Sequence, residues 1–252
     1  MRGGWGRRLL TVVAVGLLAS GVTTAVASSA TAAQSGEVYV VHAILGETVD
    51  VFVDGENVCP DAAPKTVVGP LKLSDGSHKI ELKSESGALL TSSFEVKGGA
   101  SEDLVVFRKG DSEGTPTATV FPNNTKPIGR GKARLVVTHV ATAPPADVRI
   151  DGKPVFRNVA NGESLWLDVP AKTYSVDVVP TTGGKAILDP VSLTLDAGKL
   201  TRVFAIGDVA KGTTDAIVQT LDLKVTGARR PTVVHTGDGG QAAGLFTQGP
   251  LS

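Results

Sequence analysis

The sequence predicts an all-β protein of two tandem β-sandwiches, immunoglobulin-like or transthyretin-like. Three observations lead there. Short apolar runs alternate with polar residues, and turn signals return roughly every 8–12 residues, the spacing of a sandwich. The composition is rich in Gly (30) and Pro (14), with 4% aromatic and 20% charged residues, which suits short strands and turns better than long helices. Finally, Val49-Asp50-Val51-Phe52-Val53-Asp54-Gly55 returns as Ala146-Asp147-Val148-Arg149-Ile150-Asp151-Gly152, a shift of 97 residues from Asp54 to Asp151. Each copy alternates and then reaches Asp-Gly, the signature of a strand entering a tight hairpin turn.

The chain opens with Arg2, Arg7 and Arg8, an apolar run over 9–18, and Ala30-Thr31-Ala32, with Ala25-Val26-Ala27 as a second cleavage site. This predicts a signal peptide over 1–32 and a secreted or cell-envelope associated product. Without it the charge is −3, from 22 basic and 25 acidic residues. A weakly acidic exported chain is a poor partner for nucleic acid or an anionic membrane. No later stretch is apolar enough to span a bilayer, so no transmembrane segment is expected in the mature chain.

The first sandwich is expected over 33–122. Its strands begin at Val38–Ala43 and Thr48–Val53, and continue through Lys65–Leu73 and His78–Lys83. In His78–Lys83, Ile80 and Leu82 share one face and Lys79, Glu81 and Lys83 the other. Ala88–Val96, Asp103–Arg108 and Thr115–Phe121 bring the total to about seven. Residues 123–132, with Pro127, Gly129 and Gly131, read as a linker. Its Asn123-Asn124-Thr125 has the form of a glycosylation sequon and implies only an exposed loop.

The pattern then restarts over 133–225. His139 answers His42, Asp147 answers Asp50, Val203-Phe204 answers Val106-Phe107, and Gly207-Asp208 answers Gly110-Asp111. Matches at one constant shift predict two like-folded sandwiches with separate cores. The tail over 226–252 loses periodicity and reads as disordered. Whether it is a sorting or recognition signal stays open.

Enzyme motifs are absent: no Gly-x-Ser-x-Gly, His-Glu-x-x-His, Cys-x-x-Cys or phosphate-cradling glycine loop occurs. Ser77-His78 are neighbours on a strand and point to opposite faces. No enzymatic activity and no cofactor are expected. The lone Cys59 reads as a partly buried small residue, or alternatively as an intermolecular disulfide. Two constellations remain. His42 with Asp50 and His139 with Asp147 have the residue types of a metal site, although the Asp residues also suit turns. The acidic residues Asp75, Asp103, Asp111, Asp208 and Asp215 lack the dense spacing of a calcium loop and read as solvated. Trp166 and Tyr174 are the candidate binding residues, whether core or surface. Alternation sets Trp166 opposite Leu165 and Leu167, at a domain junction or as a platform for sugar.

The His-x(7)-Asp-Val-x-x-Asp-Gly stretch resembles the secreted bacterial domain-of-unknown-function 4397 family. The carriers are Val41-His42-Ala43 with Val49–Gly55, Thr138-His139-Val140 with Ala146–Gly152, and Thr173-Tyr174-Ser175-Val176-Asp177-Val178. Ser77-His78 departs from the family's Thr-Tyr. The resemblance implies exported or envelope-associated sandwich modules and brings no catalytic residues. The expected function is a non-enzymatic adhesion, binding or scaffold module whose partner is an envelope or extracellular protein or glycan. The alternative is a metal- or carbohydrate-binding protein that uses loop-end residues.

Overall fold

The computed structural model describes residues 34–110 and 114–227; the predicted signal peptide, Asp111 and the tail beyond Gly227 lie outside them. The strands are β1 (Ser35–His42), β2 (Val49–Val53), β3 (Glu56–Ala62), β4 (Val67–Ser74), β5 (Gly76–Ser84), β6 (Gly87–Val96), β7 (Ser101–Arg108), β8 (Pro116–Pro122) and β9 (Ile128–Gly129). They continue as β10 (Lys132–His139), β11 (Ala146–Ile150), β12 (Lys153–Val159), β13 (Glu163–Pro170), β14 (Lys172–Pro180), β15 (Leu188–Leu195), β16 (Lys199–Ile206), β17 (Asp215–Asp222) and β18 (Val225–Thr226).

Each repeat is a sandwich of two four-stranded sheets with the same topology. The first has orders β4-β1-β7-β8 and β3-β2-β5-β6; the second has β13-β10-β16-β17 and β12-β11-β14-β15. In both, the opening strand pairs in parallel with the seventh, β1 with β7 and β10 with β16. Alternation fills the two cores. Val38, Val51, Ile80, Leu82 and Leu104 meet in the first, and Leu135, Val148, Val176, Leu195 and Val203 in the second.

The Asp-Gly copies are the hairpin turns expected. Asp54 and Gly55 have φ of 50° and 86°, and Asp151 and Gly152 have 50° and 76°. Both central residues in the left-handed region is what a two-residue turn demands, and Asp and Gly tolerate it best. The Asp side chains add a second anchor. Asp54 Oδ1 accepts from the Lys79 amide at 2.8 Å and Asp151 Oδ1 from the Ser175 amide at 3.0 Å, tying each turn to the next strand.

Each sandwich has eight strands rather than about seven. The edge strands β3 and β12 lack alternation. Pro60 and Pro154 are tolerated there because an edge strand leaves one side of its ladder unpaired.

The two sandwiches also share a core. Residues that point away from each sandwich's own interior meet across a seam: Val41, Val105, Phe107 and Phe121 from the first, and Val140, Phe204, Ile206 and Ile217 from the second. The joint is therefore sheet on sheet, and the two sandwiches belong to one compact unit. The segment read as a linker is fastened into it. Ile128 is buried and pairs with Val225, and Thr226, placed in the tail by sequence, pairs with Gly129. Asn123 is 7% exposed, so the sequon does not mark an exposed side chain.

Candidate functional site

Polar groups cluster at the seam itself. Arg202 (1% exposed) and Asp103 (0%) form an ion pair at 2.7 Å between the sandwiches. Asn123 Nδ2 and Gln219 Nε2 donate to the other Asp103 oxygen at 2.9 and 3.0 Å. Arg202 also donates to the Pro122 carbonyl at 2.9 Å and lies over the Phe204 ring. Burial pushes the Asp103 carboxyl up, against the pull of Arg202 and the two amides. Asp103, read from sequence as a solvated loop acid, is thus the most enclosed carboxylate of the seam. Its setting inside β7, flanked by Glu102 and Leu104, was the available signal. Arg202 gave none, because it stands where the first repeat has Val105.

The paired histidines do not assemble metal sites. Among the described residues no three His, Cys, Asp or Glu side chains are placed to hold a metal ion. His42 ends β1 and His139 ends β10, each 1% exposed. Each Nε2 donates to a loop carbonyl, Glu47 at 2.7 Å and Pro144 at 3.3 Å. Asp50 and Asp147 sit in the opposite sheets, on β2 and β11. There they accept the amides of Asp61 and Asn158, both at 2.9 Å. The two donors, Asp61 and Asn158, have positive φ, 49° and 55°, so each Asp braces an irregular edge strand. The residue types suggested a ligand set because sequence spacing cannot separate one sheet from the other.

Because a carbonyl accepts at Nε2, each histidine carries its proton there and leaves Nδ1 bare. Both Nδ1 atoms are buried without a partner among the described residues. Burial lowers both pKa values, with a smaller opposing effect from the carbonyl bonds. The folded pKa lies below the unfolded one, so the stability these groups contribute is present above about pH 6.5 and falls as pH drops toward the folded pKa. Each unit of depression is worth about 1.4 kcal/mol. Urea midpoints should therefore fall from pH 7 to pH 5, and the fall should shrink in the H42Q/H139Q double variant.

His78 forms a constellation that sequence inspection missed. Its Nδ1 bonds Asp54 Oδ2 at 2.6 Å, and Ser74 Oγ stands 3.5 Å from its Nε2. The arrangement has the members of a nucleophilic triad but not its proton balance. Nε2 lies 2.8 Å from the Ser74 carbonyl oxygen, which can only accept, so Nε2 is protonated. It cannot take a proton from the Ser74 hydroxyl. Burial alone would lower the His78 pKa, but Asp54 and the Ser74 carbonyl outweigh it and leave it raised. The group is a cationic clip that joins the β2–β3 turn to β5.

The two aromatic candidates separate. Tyr174 is 6% exposed and its hydroxyl donates to the Pro170 carbonyl at 2.8 Å, so it is core and not a binding surface. Trp166 is 51% exposed on the edge strand β13 and lies outside the shared apolar cluster. One ring face covers the Arg134 guanidinium, 4.9 Å from its centroid. Asp168 holds that guanidinium in a fork at 2.7 and 2.9 Å, and the carbonyls of Asn124 and Lys126 accept from its Nη1.

Two hollows open along the seam. One, of about 110 Å³, lies at the end where β1 and β10 finish, lined by Ile44, Arg108, Thr142, Asp208 and Lys211. The other is a larger groove of mixed polar and apolar lining at the opposite end, beside β1, the segment before β10 and the end of β17. No helix among the described residues is long and apolar enough to cross a membrane.

Comparison with solved structures gives low likenesses. A carbohydrate-binding module of family CBM26, CBMbc from Eubacterium rectale Amy13K in complex with maltoheptaose, is 11% identical with a TM-score of 0.26, covering 73% of this chain and 96% of that one. A candidate cell adhesion protein from Bacteroides ovatus ATCC 8483 is 9% identical with a TM-score of 0.23, covering 78% and 100%. Scores this low carry no argument about function. No curated protein matches the chain. A family model matches twice in tandem, over residues 36–146 and 136–243, and on that match the chain belongs to the domain of unknown function family DUF4397.

Proposed function

We propose that the chain is an exported, non-enzymatic binding or scaffold module that acts at the cell envelope or outside the cell, with the Trp166 edge as its contact surface. The observation that carries this reading is the mounting of Trp166. A large aromatic ring, half exposed, stands on an edge strand over a guanidinium that four acceptors hold in place. Trp is enriched among contact anchors, and an immobilised one loses little side-chain freedom when a partner covers it. The shared core supports the same reading, since it fixes this edge relative to the other sandwich. The proton balance at His78 favours a non-enzymatic role. The partner is a protein or glycan of the envelope.

Sedimentation of the purified chain with isolated bacterial cell envelopes tests this. The chain should co-sediment, and W166A should bind at least about tenfold more weakly, the loss expected of one aromatic anchor. Equal retention of W166A, with an unchanged circular dichroism spectrum, would remove the Trp166 edge from the proposal. A chain that stays in the supernatant would remove the envelope.

A further inference from the structure

We infer that the mixed polar and apolar groove at the β17 end of the seam is a binding site for a neutral oligosaccharide. The inference rests on the reading of the chain as a binding module and adds a second place and a ligand class to it. The groove has two connected parts, of about 520 Å³ and about 270 Å³, which share Glu37, Ser101, Thr125 and Asp222. Ligand pockets for small molecules usually span ~300–1,000 Å³, so a short oligosaccharide has room. Tyr39 and Thr220 line the smaller part, and Ala100, Pro127 and Leu221 add apolar wall. The groove is assembled from both repeats and the segment between them, and neither repeat alone contains it.

Its chemistry selects the ligand. A sugar ring presents an apolar face edged with hydroxyls that both donate and accept. Tyr39 offers an aromatic ring, Glu37 and Asp222 offer carboxylate acceptors, and Ser101, Thr125 and Thr220 offer hydroxyls of either sense. The Tyr39 hydroxyl has no hydrogen-bond partner among the described residues; burial, then the charges of Glu37 and Asp103, raise its pKa and keep it a donor. The two carboxylates stand against Lys224 in the wall and Lys199, which bonds Asp222 at 2.5 Å. The local charge therefore balances. A phosphate-rich or anionic polymer gains nothing there, whereas an uncharged polyol meets donors and acceptors in mixture.

The groove is also formed before any ligand arrives. Tyr39 faces Asp103 in the parallel β1–β7 register, and Asp103 is the carboxylate that Arg202 grips from the other sandwich. Walls held by a buried ion pair need little ordering on binding.

Titration calorimetry of the whole chain with cellopentaose, maltopentaose and chitopentaose tests the inference. One of the three should saturate. Y39A should weaken it at least about tenfold and Y39F only a few-fold, because the ring is kept. D222N on the rim should weaken it without affecting the fold. If no pentaose saturates at millimolar concentration, or if Y39A binds as the parent does, the inference fails. Envelope sedimentation separates the two readings. Retention that depends on Trp166 with no pentaose bound would sink the groove and keep the proposed function. Pentaose binding lost in Y39A, without envelope retention, would do the reverse.

Discussion

Asp103→Ala should cost the whole chain about 3–5 kcal/mol of stability, the usual loss when one partner of a buried ion pair is removed. The reason lies in what remains. Among the described residues, Arg202 would keep its charge at 1% exposure with only the Phe121 and Pro122 carbonyls to receive it, and its Nε already has no partner. Asn123 and Gln219 would each lose an acceptor at the same time. Urea unfolding followed by fluorescence measures the cost well. Trp166 is the only tryptophan after residue 32 and sits in the second sandwich, whereas Asp103 sits in the first. A lowered midpoint at Trp166 would report coupling through the seam. The double variant D103L/R202M should lie within about 1 kcal/mol of the parent or above it, since exchanging a whole buried pair for apolar side chains is often neutral. A loss below 1 kcal/mol in D103A would mean that water reaches Arg202 and that the seam is looser than drawn.

Phe204→Ala should cost a similar amount, about 3–5 kcal/mol, through a different mechanism. Phe204 is fully buried in the cluster shared by the sandwiches and stands beneath the Arg202 guanidinium, 5.7 Å from its ring centroid. Truncation removes the apolar area and leaves a cavity between two stiff sheets that cannot close on it. It also removes the surface on which Arg202 rests. The loss should therefore be non-additive with R202M, with a coupling of about 0.5–3 kcal/mol in a double-mutant cycle. Strict additivity would show that ring and guanidinium act separately.

Much of this architecture could be read from the chain. Alternation in His78–Lys83 placed Ile80 and Leu82 inward, and Asp-Gly at 54–55 and 151–152 marked two hairpins whose φ values match. The constant shift revealed two like folds because a repeat preserves its core positions. What could not be read depends on the second face of a sheet. Val105 and Phe107 alternate with Leu104 and Val106, so β7 is apolar on both sides. One such strand reads equally as an ordinary core strand, and nothing in it names the partner of its outer face. For the same reason Trp166 could be placed at a junction or on an open surface, and it stands half exposed on the edge strand β13. Tyr174 could be assigned to either side until its hydroxyl was seen to reach Pro170. Asp54 and His78 are far apart in sequence and meet only because β2 and β5 are neighbours.

The parallel pairing of β1 with β7 bears on the order in which the chain can fold. Glu37 cannot meet Ser101 until nearly the whole first repeat exists, and Arg134 waits in the same way for Leu200. Such non-local closure is slow. When the first sandwich has closed, Val41, Val105, Phe107 and Phe121 still face outward and remain uncovered until β16 and β17 arrive. A half-synthesised chain therefore carries a ready-made sticky face, and that nascent species, rather than the finished protein, is where aggregation would begin.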